Sequence, residues 1–287
     1  MNRHIIERNV ESEFHLAVNK FEKTKKKIKH YLKNQKAVNL WGFKGRSLRL
    51  SIYALVIVDS TVALKGMISF LESGIGYLQQ EYCDFESLEI ELDDEFFEID
   101  GTKKRGGKKL FDWWGLYGVA RILRQEHLTN KLYSLFEECQ KITIDPFWRR
   151  SMDLILMIDE KKDYQESIIS DIESIANYGL VEFHGEDGSS LIKSDEGKDI
   201  LKHMWLPIMK LYHFAYQKNE LEYNKCLEKY LHYKKDWIIK NKEQDNSSYW
   251  IDFPVLGCCA YATDQGINIT IETEYAPKWV YERRFSI

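Results

Sequence analysis

The sequence predicts an all-α protein, and three observations carry that prediction. Glycine and proline number 16 and 4, about 7% of the chain where ~12% is usual. So few turn residues argue against a sandwich or barrel of many short strands. Apolar residues recur at helical spacing over most of the 287 residues. Hydrophobic residues make up 44% and charged residues 30%, a balance that excludes disorder as the main state. A chain of this length buries about three quarters of its extended-state surface, so it needs no disulfide or metal to hold a core. The expected architecture is a single multi-helix domain over residues 1–287. It carries a short acidic β-hairpin near 88–100 and a short strand near 267–272.

The elements follow in order. Phe14, Ala17, Val18, Phe21, Ile28, Tyr31 and Leu32 predict an amphipathic helix over about 12–34. Arg46 to Gln80 reads as one long apolar helix or a helix pair, with Gly66, Gly74 and Gly76 as points of bending or close packing. Leu88, Ile90 and Leu92 alternate with glutamates, and Phe97 and Ile99 repeat the period after Asp93-Asp94, which predicts the hairpin. A basic, glycine-bearing loop follows, from Lys103 to Lys109. Helices resume at about 110–125 and 130–141. Asp145-Pro146 opens another, and the capping-box spacing of Asp163 and Glu166 opens one that runs to Tyr178. Ser194-Asp195-Glu196 caps a helix that Pro207 kinks or interrupts. Asn219–Lys240 is helical, Lys240–Ser248 is a polar, mobile connection, and a last helix runs from Pro254 to Gln265 before Gly266.

Charge and cysteine usage narrow the class. Lys plus Arg is 41 and Asp plus Glu is 45, giving −4 and a pI near 6.1. That is not the balance of a nucleic-acid coat protein. Five cysteines, an odd number without a C-x-x-C pair, suit a reducing cytoplasm. Met1–Arg8 has no apolar stretch after its charges, and the longest apolar run, Ile52–Val58, stops at Asp59. Neither a signal peptide nor a membrane span is expected.

No catalytic constellation emerges. There is no H-E-x-x-H, and no histidine has a carboxylate three residues before it. The pairs Glu11/His15, Asp199/His203 and Glu228/His232 have the spacing of ordinary helix neighbours. Gly101–Lys109 fails as a phosphate loop on lysine spacing and on the hydroxyl that would hold Mg²⁺. Cys258-Cys259 lies in an apolar run and reads as core. No metal, cofactor or catalytic residue is expected. One alternative is enzymatic: Arg121 and His127 resemble the Arg-x(4–6)-His motif of helical HEPN ribonucleases, which implies a phosphate-stabilising arginine and a proton-moving histidine. Residues six apart on a straight helix lie about 240° round from each other, and Ile122 stands where that family has a polar residue. A second alternative is a scaffold or nucleic-acid adaptor that uses the face of Lys20, Lys23, Lys25, Lys26, Lys27, Lys29 and Lys33.

The C-terminal region is more specific. Tyr249-Trp250-Ile-Asp-Phe-Pro254 through Gly257-Cys-Cys-Ala260 to Gly266-Ile267, then Tyr275-Ala-Pro277, resembles the immunity protein 49 family of bacterial polymorphic toxin systems. Trp113–Arg124 resembles that family's Trp-bearing apolar helix, and Asn219–Lys234 its penultimate helix, so the likeness spans about 85–280. A second resemblance is to immunity partners of PoNe-type DNase toxins through Tyr249-Trp250, from which Ile251–Pro254 departs. Both imply a helical, non-enzymatic cytoplasmic protein that binds and neutralises a cognate toxin, with no membrane and no direct nucleic-acid partner.

The expected contact surface is the acidic hairpin: Glu89, Glu91, Asp93, Asp94, Glu95 and Glu98. Close like charges repel by about 1 kcal/mol per pair even in bulk water. A basic nuclease cleft would favour such a cluster as a phosphate mimic. The competing expectation pairs these carboxylates with Lys103, Lys104, Arg105, Lys108 and Lys109. If the hairpin is not the site, the loop around His184–Ser190 is next.

Overall fold

A computed structural model describes residues 2, 9–34, 38–82, 87–100, 110–140, 146–159, 167–178 and 195–282. In chain order the elements are α1 (Val10–Lys33), α2 (Leu40–Ile57), α3 (Ser60–Tyr82), β1 (Ser87–Leu92), β2 (Glu95–Asp100), α4 (Leu110–Leu123), α5 (Glu126–Gln140), α6 (Pro146–Asp159) and α7 (Ser167–Tyr178). Then come α8 (Asp195–Ile200), a π turn (Leu201–Trp205), α9 (Leu206–Tyr216), α10 (Glu220–Lys240), α11 (Phe253–Asp264) and α12 (Lys278–Tyr281). The protein is all-α with one two-stranded antiparallel hairpin. The basic loop 103–109, the Asp145 cap, the Asp163–Glu166 capping box, Ser194 and the His184–Ser190 loop lie outside the described residues.

Polar caps fix where helices begin. The side chains of Asn9, Asn39, Asp59, Asn219 and Asp252 each accept a backbone N–H three residues on, at 2.9–3.2 Å. Each satisfies one of the orphan donors of a first turn. Asp59 divides the Arg46–Gln80 stretch into α2 and α3, and α3 then runs unbroken past Gly66, Gly74 and Gly76. Helix ends use left-handed residues that are not glycine: Val58, Arg124, Lys218 and Lys242 have φ of 65°, 53°, 55° and 58°. After each of them the next N–H reaches back to a last-turn carbonyl, as Asp59 to Ala54 and Gln125 to Ala120. Gly266 (φ 85°) completes the same arrangement after α11.

One expectation holds and one changes. The α-helix from Asp195 is interrupted ahead of Pro207: Leu201–Trp205 widen to the π turn, and a new α-helix starts at Leu206 with Pro207 in its first turn, where the missing N–H is tolerated. The polar connection after Lys240 is held, because the Trp250 indole N–H donates to Gln244 O at 2.8 Å and the Asn246 side chain caps a 3-10 turn.

The strand near 267–272 is corrected. Ile267 and Ile269 are buried while Asn268 and Thr270 are exposed, so the period of two is real. Yet the segment is extended chain with no strand beside it among the described residues. The Asn224 side chain of α10 takes a strand's place: its amide donates to Asn268 O (3.0 Å) and its oxygen accepts the Thr270 N–H (2.8 Å). Glu220 accepts the Asn268 N–H at 2.9 Å.

One hydrophobic cluster runs from Phe14 to Tyr281. Its centre is the crossing of α4 and α11, where backbones meet. A Cβ on Gly118 would lie 2.2 Å from Phe253 O, and one on Gly257 would lie 2.5 Å from Gly118 Cα. Only glycine permits that approach. Trp113, Tyr117, Tyr212 and Trp250 are fully buried around it.

Candidate functional site

The hairpin owes its fold to alternation and to its turn. Register pairs Glu89 with Glu98, Ile90 with Phe97, and Glu91 with Phe96. Leu88, Ile90, Leu92, Phe97 and Ile99 are buried, which turns Glu89, Phe96 and Glu98 outward. Asp93 and Asp94 have φ of 54° and 58°, the backbone of a two-residue hairpin turn that suits right-handed strand twist and that aspartate tolerates.

The structure divides the six candidate carboxylates into two groups. Asp93 pairs with Lys25 and with Lys29 (2.7 Å), and Glu95 pairs with Lys29 (2.8 Å) and Lys33 (3.3 Å). Glu91 pairs with Lys131 of α5 at 2.9 Å. Lys25, Lys29 and Lys33 stand at i, i+4 and i+8, one stripe of α1, so the lysine helix clamps the hairpin turn. Partial burial pushes the Asp93 carboxyl up, but Lys25 and Lys29 outweigh it and hold it below the ordinary range. Lys29 and Lys33 lower Glu95 likewise. Burial disfavours the Lys29 charge, yet Asp93 and Glu95 keep its pKa above the ordinary value. Glu89, Asp94 and Glu98 are exposed and make no ion pair with another described residue. Phe96 stands among them, 60% exposed. Of the remaining lysines, Lys20, Lys23, Lys26 and Lys27 are exposed.

Beneath the turn lies Glu72 of α3, 6% exposed, whose two carboxyl oxygens both accept the Asp93 N–H at 3.2 Å. Burial pushes its pKa up to about 8, and Asp93 and Glu91 add to the rise against the opposing Asp93 N–H and Lys25. A cleft of about 360 Å³ opens here between α3, the turn and the start of α5.

Arg121 and His127 occupy different surroundings. Arg121 forms an ion pair with Asp159 of α6 and donates from Nε to the Tyr117 hydroxyl (2.8 Å), which donates to Asp159 (3.0 Å). Its guanidinium lies over the Tyr117 and Tyr261 rings. His127 is exposed and lines the cleft, which Arg121 does not. Arg121 is thereby a tie between α4 and α6. Cys258 and Cys259 are buried free thiols whose pKa burial pushes up. Among the described residues no group of three or more His, Cys, Asp or Glu could hold a metal, and no helix is long and apolar enough to cross a membrane.

Sequence reasoning missed Asp252. Its Oδ2 accepts the Tyr230 hydroxyl at 2.5 Å and pairs with Lys234, its Oδ1 caps α11, and its N–H donates to Tyr275 O at 2.9 Å. The signal was present as Asp two residues before Pro254 at a helix start.

The fold is thus an all-α body that presents an acidic hairpin. Residues 184–280 match the family described as Immunity protein 49, so the resemblance read from Trp250, Pro254, Gly266 and Pro277 stands. Trp113–Arg124 lies outside the matched residues, yet it packs on them at Gly118–Gly257. No curated protein and no solved structure matches the chain.

Proposed function

We propose that this chain is an immunity protein that binds a cognate bacterial toxin in the cytoplasm and blocks it without chemistry of its own. The observation that carries the role is the match of residues 184–280 to Immunity protein 49. The contact surface we assign is the outer hairpin face, with Phe96 as apolar anchor and Glu89, Asp94 and Glu98 around it. An exposed aromatic ringed by charge has the composition of an interface hot spot and its rim. Carboxylates without an ion-pair partner among the described residues steer a basic partner, and a nuclease cleft built for phosphate is such a partner. Asp93, Glu95 and Glu91 act differently: their lysine partners hold the hairpin at its height and angle.

The test is co-expression with a candidate cognate toxin. Growth rescue and co-purification are expected, with Phe96→Ser and Glu89→Lys each weakening binding while the fold is kept. A chain that neither rescues growth nor co-purifies defeats the proposal. Full affinity in both folded variants moves the contact surface elsewhere.

A further inference from the structure

The cleft beneath the hairpin turn combines features that no part of the contact-surface argument uses. Leu64 and Ile68 of α3 and Leu123 and Leu128 across from them give it apolar lining. Ser69 and Glu72 line it one turn apart on α3. Ser69 is 1% exposed, and its hydroxyl has no hydrogen-bond partner among the described residues. A buried hydroxyl left unpaired is costly, and a ligand that pairs with it recovers that cost. Among the described residues Glu72 accepts only the Asp93 N–H, so its two oxygens keep lone pairs free.

The charges around it are nearly all committed. Asp93 is taken by Lys25 and Lys29, Glu91 by Lys131, and Lys65 by Glu22 at 2.5 Å. Glu72 and Asp94 remain without a cation among the described residues, and His127 stands at the edge.

We infer that this cleft receives an arginine side chain of the toxin, its methylenes against the leucines and Ile68 and its guanidinium on Glu72 and Ser69. Arginine fits better than lysine because its planar fork bonds a carboxyl and a neighbouring hydroxyl together, and it is more weakly hydrated. The inference rests on the immunity reading and deepens it: the outer face finds the partner, and the cleft holds one of its basic residues. Binding draws a proton off Glu72, because a bound cation favours the ionised form. Asp93, Glu91 and Lys25 set that equilibrium, with Asp94, Lys65 and His127 along the same cleft.

The experiment uses the full chain with N-acetyl-arginine amide as probe and the citrulline analogue as its uncharged counterpart. Methyl resonances of Leu64, Ile68, Leu123 and Leu128 are followed by NMR. Saturable shifts are expected with arginine and at least about tenfold weaker binding with citrulline, the scale of a lost charge-assisted bond. Affinity should rise from about pH 6 to about pH 9 as Glu72 ionises. Glu72→Gln should lose about tenfold, Ser69→Ala several-fold, and Ile68→Trp should abolish binding by filling the space. If Glu72→Gln does not fold, Ile68→Trp and the citrulline comparison still decide. Absence of saturable shifts, or equal shifts with both probes, overturns the inference. A chain that protects against the toxin yet ignores arginine keeps the immunity reading and loses the cleft; one that binds arginine without protecting does the reverse.

Discussion

Lys234 and Asp252 form a buried ion pair, 8% and 5% exposed at their side chains, that joins α10 to the start of α11. Removing one partner strands a charge in the interior, which costs about 3–5 kcal/mol. Lys234→Met should therefore lower the denaturation midpoint markedly. Asp252→Ala should lower it further, because the cap on Val255 and the Tyr230 acceptor go with it. The double variant should lose less than the sum of the two. Additive losses in chemical denaturation would show that the pair is not coupled.

Glu72 gives stability an unusual dependence on pH. Its folded pKa of about 8 stands above the ordinary 4.5. Between those values the folded state holds a proton that the unfolded chain has released. The contribution is fully present below about pH 4.5 and is lost as pH rises toward 8, by up to about 1.4 kcal/mol per unit. Asp93 and Glu95 have lowered values, so their contribution has the opposite sign and is lost as pH falls through their folded pKa values. Melting curves of the wild type and Glu72→Gln should diverge steadily from about pH 5 to 8 and run parallel above. Parallel curves throughout would sink the assignment.

Glu89 and Glu98 face each other across the hairpin, an arrangement that destabilises a strand pair. Glu98→Lys turns repulsion into a cross-strand pair, so it should stabilise by about 0.2–1 kcal/mol while weakening toxin binding. Opposite movements of thermal stability and affinity are the signature of a surface kept for its partner. Movement in the same direction argues for a purely structural role.

The Gly118–Gly257 crossing joins residues inside the family match to residues before it. Gly118→Ala or Gly257→Ala puts a methyl group into backbone atoms, so each should cost several kcal/mol, on the order of a strongly overpacked core. A fragment of residues 184–287 lacks α4 and should not fold cooperatively alone. A sharp melting transition from that fragment would mark a separate domain.

Asn224→Ala should cost about 0.5–1.5 kcal/mol per hydrogen bond lost, because the exposed Asn268 O and Thr270 N–H exchange the side chain for water. Faster amide exchange at Thr270, measured by NMR, checks it locally; unchanged exchange would deny Asn224 this role.

What the sequence disclosed was what lies close along the chain. Helix starts were legible where Asn219 or Pro146 stood before an apolar period, and the hairpin in the alternation of Leu88, Ile90 and Leu92. Long-range partners were not. The lysines of α1 stand about sixty residues before Asp93 and Glu95, and nothing in either segment names the other. The nearer basic loop was the obvious candidate for those carboxylates. Only the i, i+4, i+8 spacing of Lys25, Lys29 and Lys33 hinted at a single clamping stripe. At Ile267–Ile271 the period was read correctly and its cause was not, since a helix side chain satisfies backbone as a strand does. Arg121 looked catalytic because an arginine that serves as a buried tie has the same letter as one that waits for substrate.

The two faces of the hairpin are written in alternate codons. Leu88, Ile90, Phe97 and Ile99 anchor it, while Glu89, Phe96 and Glu98 face outward. A substitution at an outward position leaves every inward contact as it was. On the proposed contact surface, binding can therefore be altered one residue at a time without disturbing the side that anchors the hairpin. The period of two in a β-strand thus separates the residues that fasten the hairpin from those that can be exchanged without loosening it.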